Sequence, residues 1–170
     1  MAVLKTPRLI VRDLTTADAP FIVSLLNDPD FIRNIGDRGV RTEADARAYL
    51  AAGPLASYAR HGFGLRAVTL ATTGEPIGIC GLLRRHELPE PDLGFAFLPR
   101  HRGQGYAFEA ASAVAADGRE RFGLRTVMAI VNPDNAASIR LLEKLGFARE
   151  GTVRLTDESV ELSLFASRRE

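Results

Sequence analysis

A chain of 170 residues, 46% of them apolar, is the size of one domain and holds enough apolar material for a core. A net charge of +1 gives no general electrostatic case for binding nucleic acid or a membrane surface, and no apolar run approaches the ~20 residues of a membrane span. Cys80 is the only cysteine, which excludes an internal disulfide. It fits a reducing compartment, and residues 1–12 are too poor in apolar side chains for a signal peptide, so a cytoplasmic location is expected.

In chain order, residues 9–14 alternate as an edge strand does. Thr15-Thr16-Ala17-Asp18 carries a capping signature, and Phe21, Ile22, Leu25 and Leu26 form a helical stripe behind it. Asn27-Asp28-Pro29 ends that helix. Thr42 and Asp45 cap a second helix, which stops at Gly53-Pro54. Residues 65–72 and 76–84 read as two strands joined at Thr73-Gly74. A strand over 92–98 leads into a long alanine-rich helix, about 104–122, and a further strand covers 124–131. A short helix follows Asn135, and residues 147–155 and 160–165 form a terminal hairpin around 156–159. There is no repeat, low-complexity tract or linker. One domain spanning 1–170 is expected, of α+β or α/β class in one layered core.

The stretch Arg102-Gly103-Gln104-Gly105-Tyr106-Ala107 joins a strand to a helix. The first amides of a helix have no internal partner, and its dipole favours an anion there. Glycines would let a diphosphate approach the backbone, and Arg100, His101 and Arg102 add positive charge. A Gly-x-Gly also serves as a plain tight turn. The dinucleotide fingerprint is not met, because Phe108 or Glu109 stands where a third small residue belongs, and the Gly-Lys-Ser/Thr of a P-loop is absent. A second segment, residues 132–147, starts with turn formers. Asn135 is the N-cap, Ile139, Leu142 and Leu145 make an apolar stripe, and Gly146 is the C-terminal stop.

The pair Arg102-x-x-Gly105-x-Ala107 and Asn135-x-x-Ser138-x-x-Leu-Leu-x-Lys-Leu-Gly-Phe147 resembles the acetyl-coenzyme A signature of the GNAT N-acetyltransferases. Thr6-Pro7-Arg8-Leu9-Ile10-Val11-Arg12, Asp18, Asn27-Asp28-Pro29, Gly62-Phe63-Gly64-Leu65 and residues 74–82 extend the likeness. They point to the branch that includes the ribosomal-protein N-terminal acetyltransferases. The resemblance implies a mostly antiparallel, twisted central sheet with helices on both faces. Its two middle strands, 92–98 and 124–131, would splay apart around acetyl-CoA.

The resemblance also assigns roles. Backbone amides at Phe97 and Leu98 would hold the pantetheine arm and the thioester oxygen. The loop Arg102, Gly103, Gln104, Gly105, Tyr106 and Ala107 would hold the diphosphate, and Asn135 the pantetheine. Acetyl would pass directly to a primary amine, with no metal. The preferred acceptor is a peptide or protein α-amine or a small amino compound. An aminoglycoside or polyamine acceptor and a non-catalytic acetyl-CoA-binding module are the alternatives. Partners are therefore an amine-bearing peptide, protein or small molecule, and the chain would act as a monomer or homodimer.

Asp92 matches a position that is often glutamate in this branch and is the expected base, with Glu90 and His86 as alternatives. Many GNAT enzymes carry a tyrosine where this chain has Leu142, so Ser138 is the expected acid. Phe31, Arg33 and Phe63 would wall the acceptor pocket. Cys80 lies in an apolar strand and reads as a small buried hydrophobe rather than an acyl carrier.

Overall fold

The computed structural model describes residues 3–157 and 159–169. Eight strands form one sheet. They are β1 (Leu4–Lys5), β2 (Leu9–Asp13), β3 (Leu65–Leu70), β4 (Pro76–Leu83), β5 (Asp92–Phe97), β6 (Thr126–Val131), β7 (Ala148–Val153) and β8 (Leu162–Arg168). Their order is β1-β2-β3-β4-β5-β6-β8-β7. Every neighbouring pair is antiparallel except β5 and β6, which run parallel. The helices are α1 (Ala19–Leu26), α2 (Pro29–Asn34), α3 (Glu43–Leu50), α4 (Ala56–His61), α5 (Tyr106–Phe122) and α6 (Ala136–Lys144).

Side chains alternate across a strand, so each strand feeds two cores. Val68 and Cys80 point to one face, where Ala110, Ala111 and Val114 of α5 and Leu142 of α6 cover them. Ala67 and Ile79 point to the other, under Ile22, Leu25 and Leu26 of α1, Phe31 of α2 and Leu50 of α3. The expected twisted sheet with helices on both faces is therefore what the chain forms.

The local signals act as their chemistry requires. Thr15 and Asp18 make a reciprocal capping box before α1, and Thr42 and Asp45 make another before α3. Three expectations are corrected. Residues 9–14 do not form an edge strand: β2 lies between β1 and β3, because Leu4 and Lys5 add a short strand outside it. Asn27-Asp28-Pro29 ends α1 but also starts α2, since Asp28 caps the Phe31 amide and Pro29 needs no partner for its missing N–H. The helix after Thr42 does not stop at Gly53-Pro54. A π-helical turn, Ala51–Leu55, absorbs the proline, and helical structure runs on to Gly62 at φ +80°. Of the expected terminal turn, Glu158 lies outside the described residues; β8 returns between β6 and β7 rather than outside them.

Candidate active site

The two parallel strands separate almost as soon as they meet. β5 and β6 are joined at Asp92 and Met128, where the Met128 amide donates to the Pro91 carbonyl at 2.9 Å. Beyond that point β5 stays with β4 up to Phe97, and β6 stays with β8 along its whole length. A wedge opens between them toward the C-terminal end of β5.

Which amides face this wedge follows from the ladder. The Leu98 amide donates to the Ile77 carbonyl at 2.9 Å, so it belongs to the β4 side. Antiparallel pairs alternate between bonded and non-bonded, and Phe97 opposite Gly78 and Phe95 opposite Cys80 are the non-bonded pairs. The N–H groups of Phe95 and Phe97 thus turn toward the wedge. The expectation for Leu98 is corrected, because its amide is already committed; the Phe95 amide is the one that faces the wedge beside that of Phe97.

At the wide end of the wedge the chain makes a 3-10 turn at Pro99–His101 and enters the glycine loop. Gly103 and Gly105 have φ of +73° and +82°, a left-handed conformation that strains any other residue. Gly105 is the N-cap of α5 and offers no side chain to the first turn. By contrast α2, α3 and α6 are capped by the side chains of Asp28, Thr42 and Asn135. The amides of Tyr106, Ala107 and Phe108 are therefore the orphan donors of a 17-residue helix. They carry the positive end of its dipole.

The loop is fastened from behind. Glu109, in the first turn of α5, accepts from the Thr6 hydroxyl, from the Arg8 amide at 2.9 Å and from Arg8 Nε at 2.8 Å. Burial pushes the Glu109 carboxyl up, but these donors outweigh it and hold it below its ordinary value. The Arg8 guanidinium also donates to the Gln104 carbonyl at 2.9 Å and lies 4.4 Å from the Tyr106 ring centre. Gln104 spends its side-chain amide on the Arg100 carbonyl. Arg102, expected at the diphosphate, has other partners. Its Nε donates to the Phe97 carbonyl at 3.0 Å, and its two terminal nitrogens reach Asp28 and Asp30 at 2.6 Å each.

A cavity of about 560 Å³ runs from α2 across the end of β5 and the glycine loop to α6. It gathers Phe97, Arg102, Gly103, Gly105, Tyr106, Ala107, Asn135 and Ser138, together with Phe31 and Arg33 of the expected acceptor wall. Its size is within the range of small-molecule sites, roughly 300–1,000 Å³. Asn135 accepts from the Ser138 amide at 3.3 Å, so its side-chain carbonyl acts as a cap. Sequence reasoning missed Phe95, Arg140 and Leu141. The last two follow Ala137 by three and four positions, a helical spacing that puts them on the same face of α6 as Lys144. The Lys144 ammonium lies 4.3 Å from the Phe108 ring centre. Leu142, in contrast, is 1% exposed and packs in the core, so Leu141 is the residue that meets the cavity at this turn of α6.

Two expected residues lie elsewhere. Phe63 stacks on His61 and meets Phe122 edge-on, at the far end of α5, and the structure does not bring it to this cavity. Asp92 stands at the closed end of the wedge, 1% exposed, with Arg85 Nε at 3.1 and 3.3 Å from its two oxygens. Burial, opposed in part by Arg85, holds its carboxyl above the usual value. It does not line the cavity, so direct proton abstraction by Asp92 does not follow from this geometry. His86 is exposed and pairs with Glu87, also away from the cavity. Cys80 is fully buried, and burial pushes its thiol up to about 12, which leaves no thiolate for acyl transfer.

Comparison with known proteins identifies this arrangement. The acetyltransferase (GNAT) domain model matches residues 8–148. The chain is 32% identical over 156 residues to the uncharacterized N-acetyltransferase YoaA of Bacillus subtilis (strain 168), covering 89% of this chain and 86% of that protein. Among solved structures, an acetyltransferase from Agrobacterium tumefaciens str. C58 superposes with a TM-score of 0.83 at 26% identity, over 99% of this chain and 95% of that one. RimL, a ribosomal L7/L12 alpha-N-protein acetyltransferase in complex with coenzyme A, shares the fold with a TM-score of 0.82 at 15% identity, over 98% of each chain. The chain belongs to the GNAT acetyltransferase family.

Proposed function

We propose that this acetyltransferase moves acetyl from acetyl-CoA directly to a primary amine, and that the acceptor is a peptide or protein α-amine or a small amino compound. The observation that carries this reading is the wedge. It opens from the Asp92–Met128 junction toward an uncapped helix N-terminus, with the Phe95 and Phe97 amides along one side. Left-handed glycines keep side chains off the loop, and a Cβ on Gly103 would meet no heavy atom within 4 Å, so the loop surface is open. These features fit a long thioester ligand bearing a diphosphate. Acetyl-CoA supplies the activated acyl group.

The residues of the chain then divide the work. The amides of Gly103 to Phe108 hold the diphosphate. The Phe95 and Phe97 amides align the pantetheine arm and stabilise the acyl oxygen as it gains charge. Asn135 keeps its amide nitrogen for the same arm while its carbonyl caps α6. Ser138, half-buried in the cavity wall, relays a proton from solvent water to the departing sulfur, taking one up as it gives one away. Asp92, paired with Arg85, fixes the strand junction at the closed end, and the amine loses its proton to water.

A weak proton acceptor sets a limit on the amine. A terminal α-amine has a pKa of about 7.7–8.0, whereas a lysine amine at about 10.4 is some thousandfold less neutral near pH 7.5, a handicap of roughly 4 kcal/mol. The charge of the cavity points the same way. Among the described residues Asp30 is the single carboxylate that lines it, and Arg33 and Arg102 already hold that one. A polycation such as a polyamine or aminoglycoside would find no unpaired carboxylate among those residues. Ile35, 44% exposed at the rim, offers an apolar contact to an acceptor chain.

The test is release of free thiol from acetyl-CoA in the presence of single amines: peptides with a free N-terminus, the same peptides blocked but carrying an internal lysine, amino acids, a polyamine and an aminoglycoside. Turnover is expected with free N-termini or small amino compounds. Exclusive turnover of the polyamine or aminoglycoside would overturn the acceptor assignment, and no binding of acetyl-CoA would overturn the whole reading.

A further inference from the structure

The side chain that opens the glycine loop is anchored in the opposite wall of the cavity. Arg102 spends all three guanidinium nitrogens on protein: Nε on the Phe97 carbonyl, one terminal nitrogen on Asp28 and the other on Asp30. Asp28 is not a casual partner. Its side chain is 6% exposed, and the same Oδ2 that takes Arg102 also caps the Phe31 amide at 3.2 Å. Asp30 is shared with Arg33. The arginine therefore joins three things: the end of β5, the root of the loop and the first turn of α2.

That helix has reason to depend on the clasp. It is six residues long, and helices of that length are not stable by themselves. Phe31 anchors it in the core under α1, but its N-terminus is held by Asp28, whose buried charge is balanced by Arg102. It carries Phe31, Arg33 and Asn34, and the following Ile35, into the cavity facing the loop. A planar guanidinium bonded at three edges is also the least mobile way to make such a link.

We propose that Arg102 is a positioning residue rather than a phosphate ligand: it couples the glycine loop to α2, so that seating acetyl-CoA on the loop orders the acceptor side of the cavity. The inference rests on the reading of the loop as the acetyl-CoA site. Its physical basis is shared order. A ligand that fixes the loop backbone fixes the residue at its root, and that residue is bonded at its far end to α2.

The experiment is amide hydrogen exchange over residues 30–35, with and without coenzyme A, in the wild type and in Arg102→Lys, Arg102→Ala and Asp28→Asn. Coenzyme A affinity is measured by calorimetry in parallel. Asp28→Asn keeps a good N-cap and removes only the charge. Coenzyme A is expected to slow exchange in α2 of the wild type severalfold. Each variant is expected to lose most of that protection, and to weaken coenzyme A by a similar factor of about 3–10, with Arg102→Ala and Asp28→Asn combined no worse than either alone. Lysine cannot replace the fork, so Arg102→Lys behaves like Arg102→Ala. A point-charge phosphate ligand would give the reverse: Arg102→Lys near wild type, Asp28→Asn without effect on affinity, and additive losses in the double variant. That pattern overturns the proposal, as does a wild type that binds coenzyme A with no change in α2. Failure of the wild type to bind coenzyme A at all is a failure of the loop assignment instead.

Discussion

Gly105→Ala is the sharpest probe of the loop, because its cost can be worked out and matched. At φ +82° a side chain costs roughly 1–2 kcal/mol of backbone strain. A Cβ there would stand 3.2 Å from an Arg8 terminal nitrogen, a flexible group that can yield a few tenths of an ångström. For a chain of this size 1 kcal/mol moves Tm by ~2–4 °C, so a fall of roughly 2–8 °C is expected without ligand. Gly123→Ala is the control. It closes the other end of α5 at φ +65°, and its Cβ would meet nothing within 4 Å, so it carries the same kind of strain with no part in the loop. The variants should part on adding acetyl-CoA. At a hundred times Kd a native-state ligand stabilises by about 2.7 kcal/mol. Misplacing one charge-assisted amide bond at the head of the helix costs ~1.5–3 kcal/mol of that. Thermal melts should show the full ligand-induced rise in Gly123→Ala and half of it or less in Gly105→Ala. Equal rises in both would refute the assignment of the diphosphate to this loop.

Two further outcomes follow from the charges around the cavity. Arg140 and Lys144 line one face of α6 without an acidic partner among the described residues, so Arg140→Ala with Lys144→Ala should weaken acetyl-CoA about tenfold at low salt and by less at high salt, as measured by calorimetry at the two salt concentrations. Glu109 has a folded pKa below its ordinary 4.5, so the stability it adds is present above that pH and is lost as pH falls through the lower folded value; the Tm gap between wild type and Glu109→Gln should be constant from pH 8 to about 5.5 and close below 4.5.

What the sequence made legible was what local chemistry decides. Thr15 with Asp18 and Thr42 with Asp45 are separated by three positions, and each pair closes on itself whatever the rest of the fold does. Glycines at 103 and 105 before an alanine-rich run mark a loop and a helix start, and Asn135 caps the helix it precedes. The miss at Gly53-Pro54 has the opposite origin. Proline and glycine usually stop a helix, but packing of Leu50 and Pro54 against the core outweighs that preference once a π turn relieves the clash. Leu4 and Lys5 were too short a run to read as a strand, and only their pairing with Ile10 and Val11 makes them one.

The harder part of the site was decided across the chain. Whether Phe97 or Leu98 presents an amide to the wedge is a question of parity, fixed by the Leu98 bond to Ile77, and no local pattern reveals it. Arg102 reads as a loop cation until Asp28 arrives from 74 positions away. The same holds for Asp92: a carboxylate at the head of the strand reads as a base, but it is almost fully buried against Arg85 and does not line the cavity. These three cases share a cause. A backbone cradle needs only glycine and a helix end, so it is written in consecutive residues, whereas the state of a charged side chain depends on its partner. For an enzyme of this design the glycine cradle is therefore readable from sequence, and the strand amides beside it are not. The acceptor side has to be read from the partners of Asp28, Asp30 and Arg33, because those contacts set the shape and charge of the wall that an amine must approach.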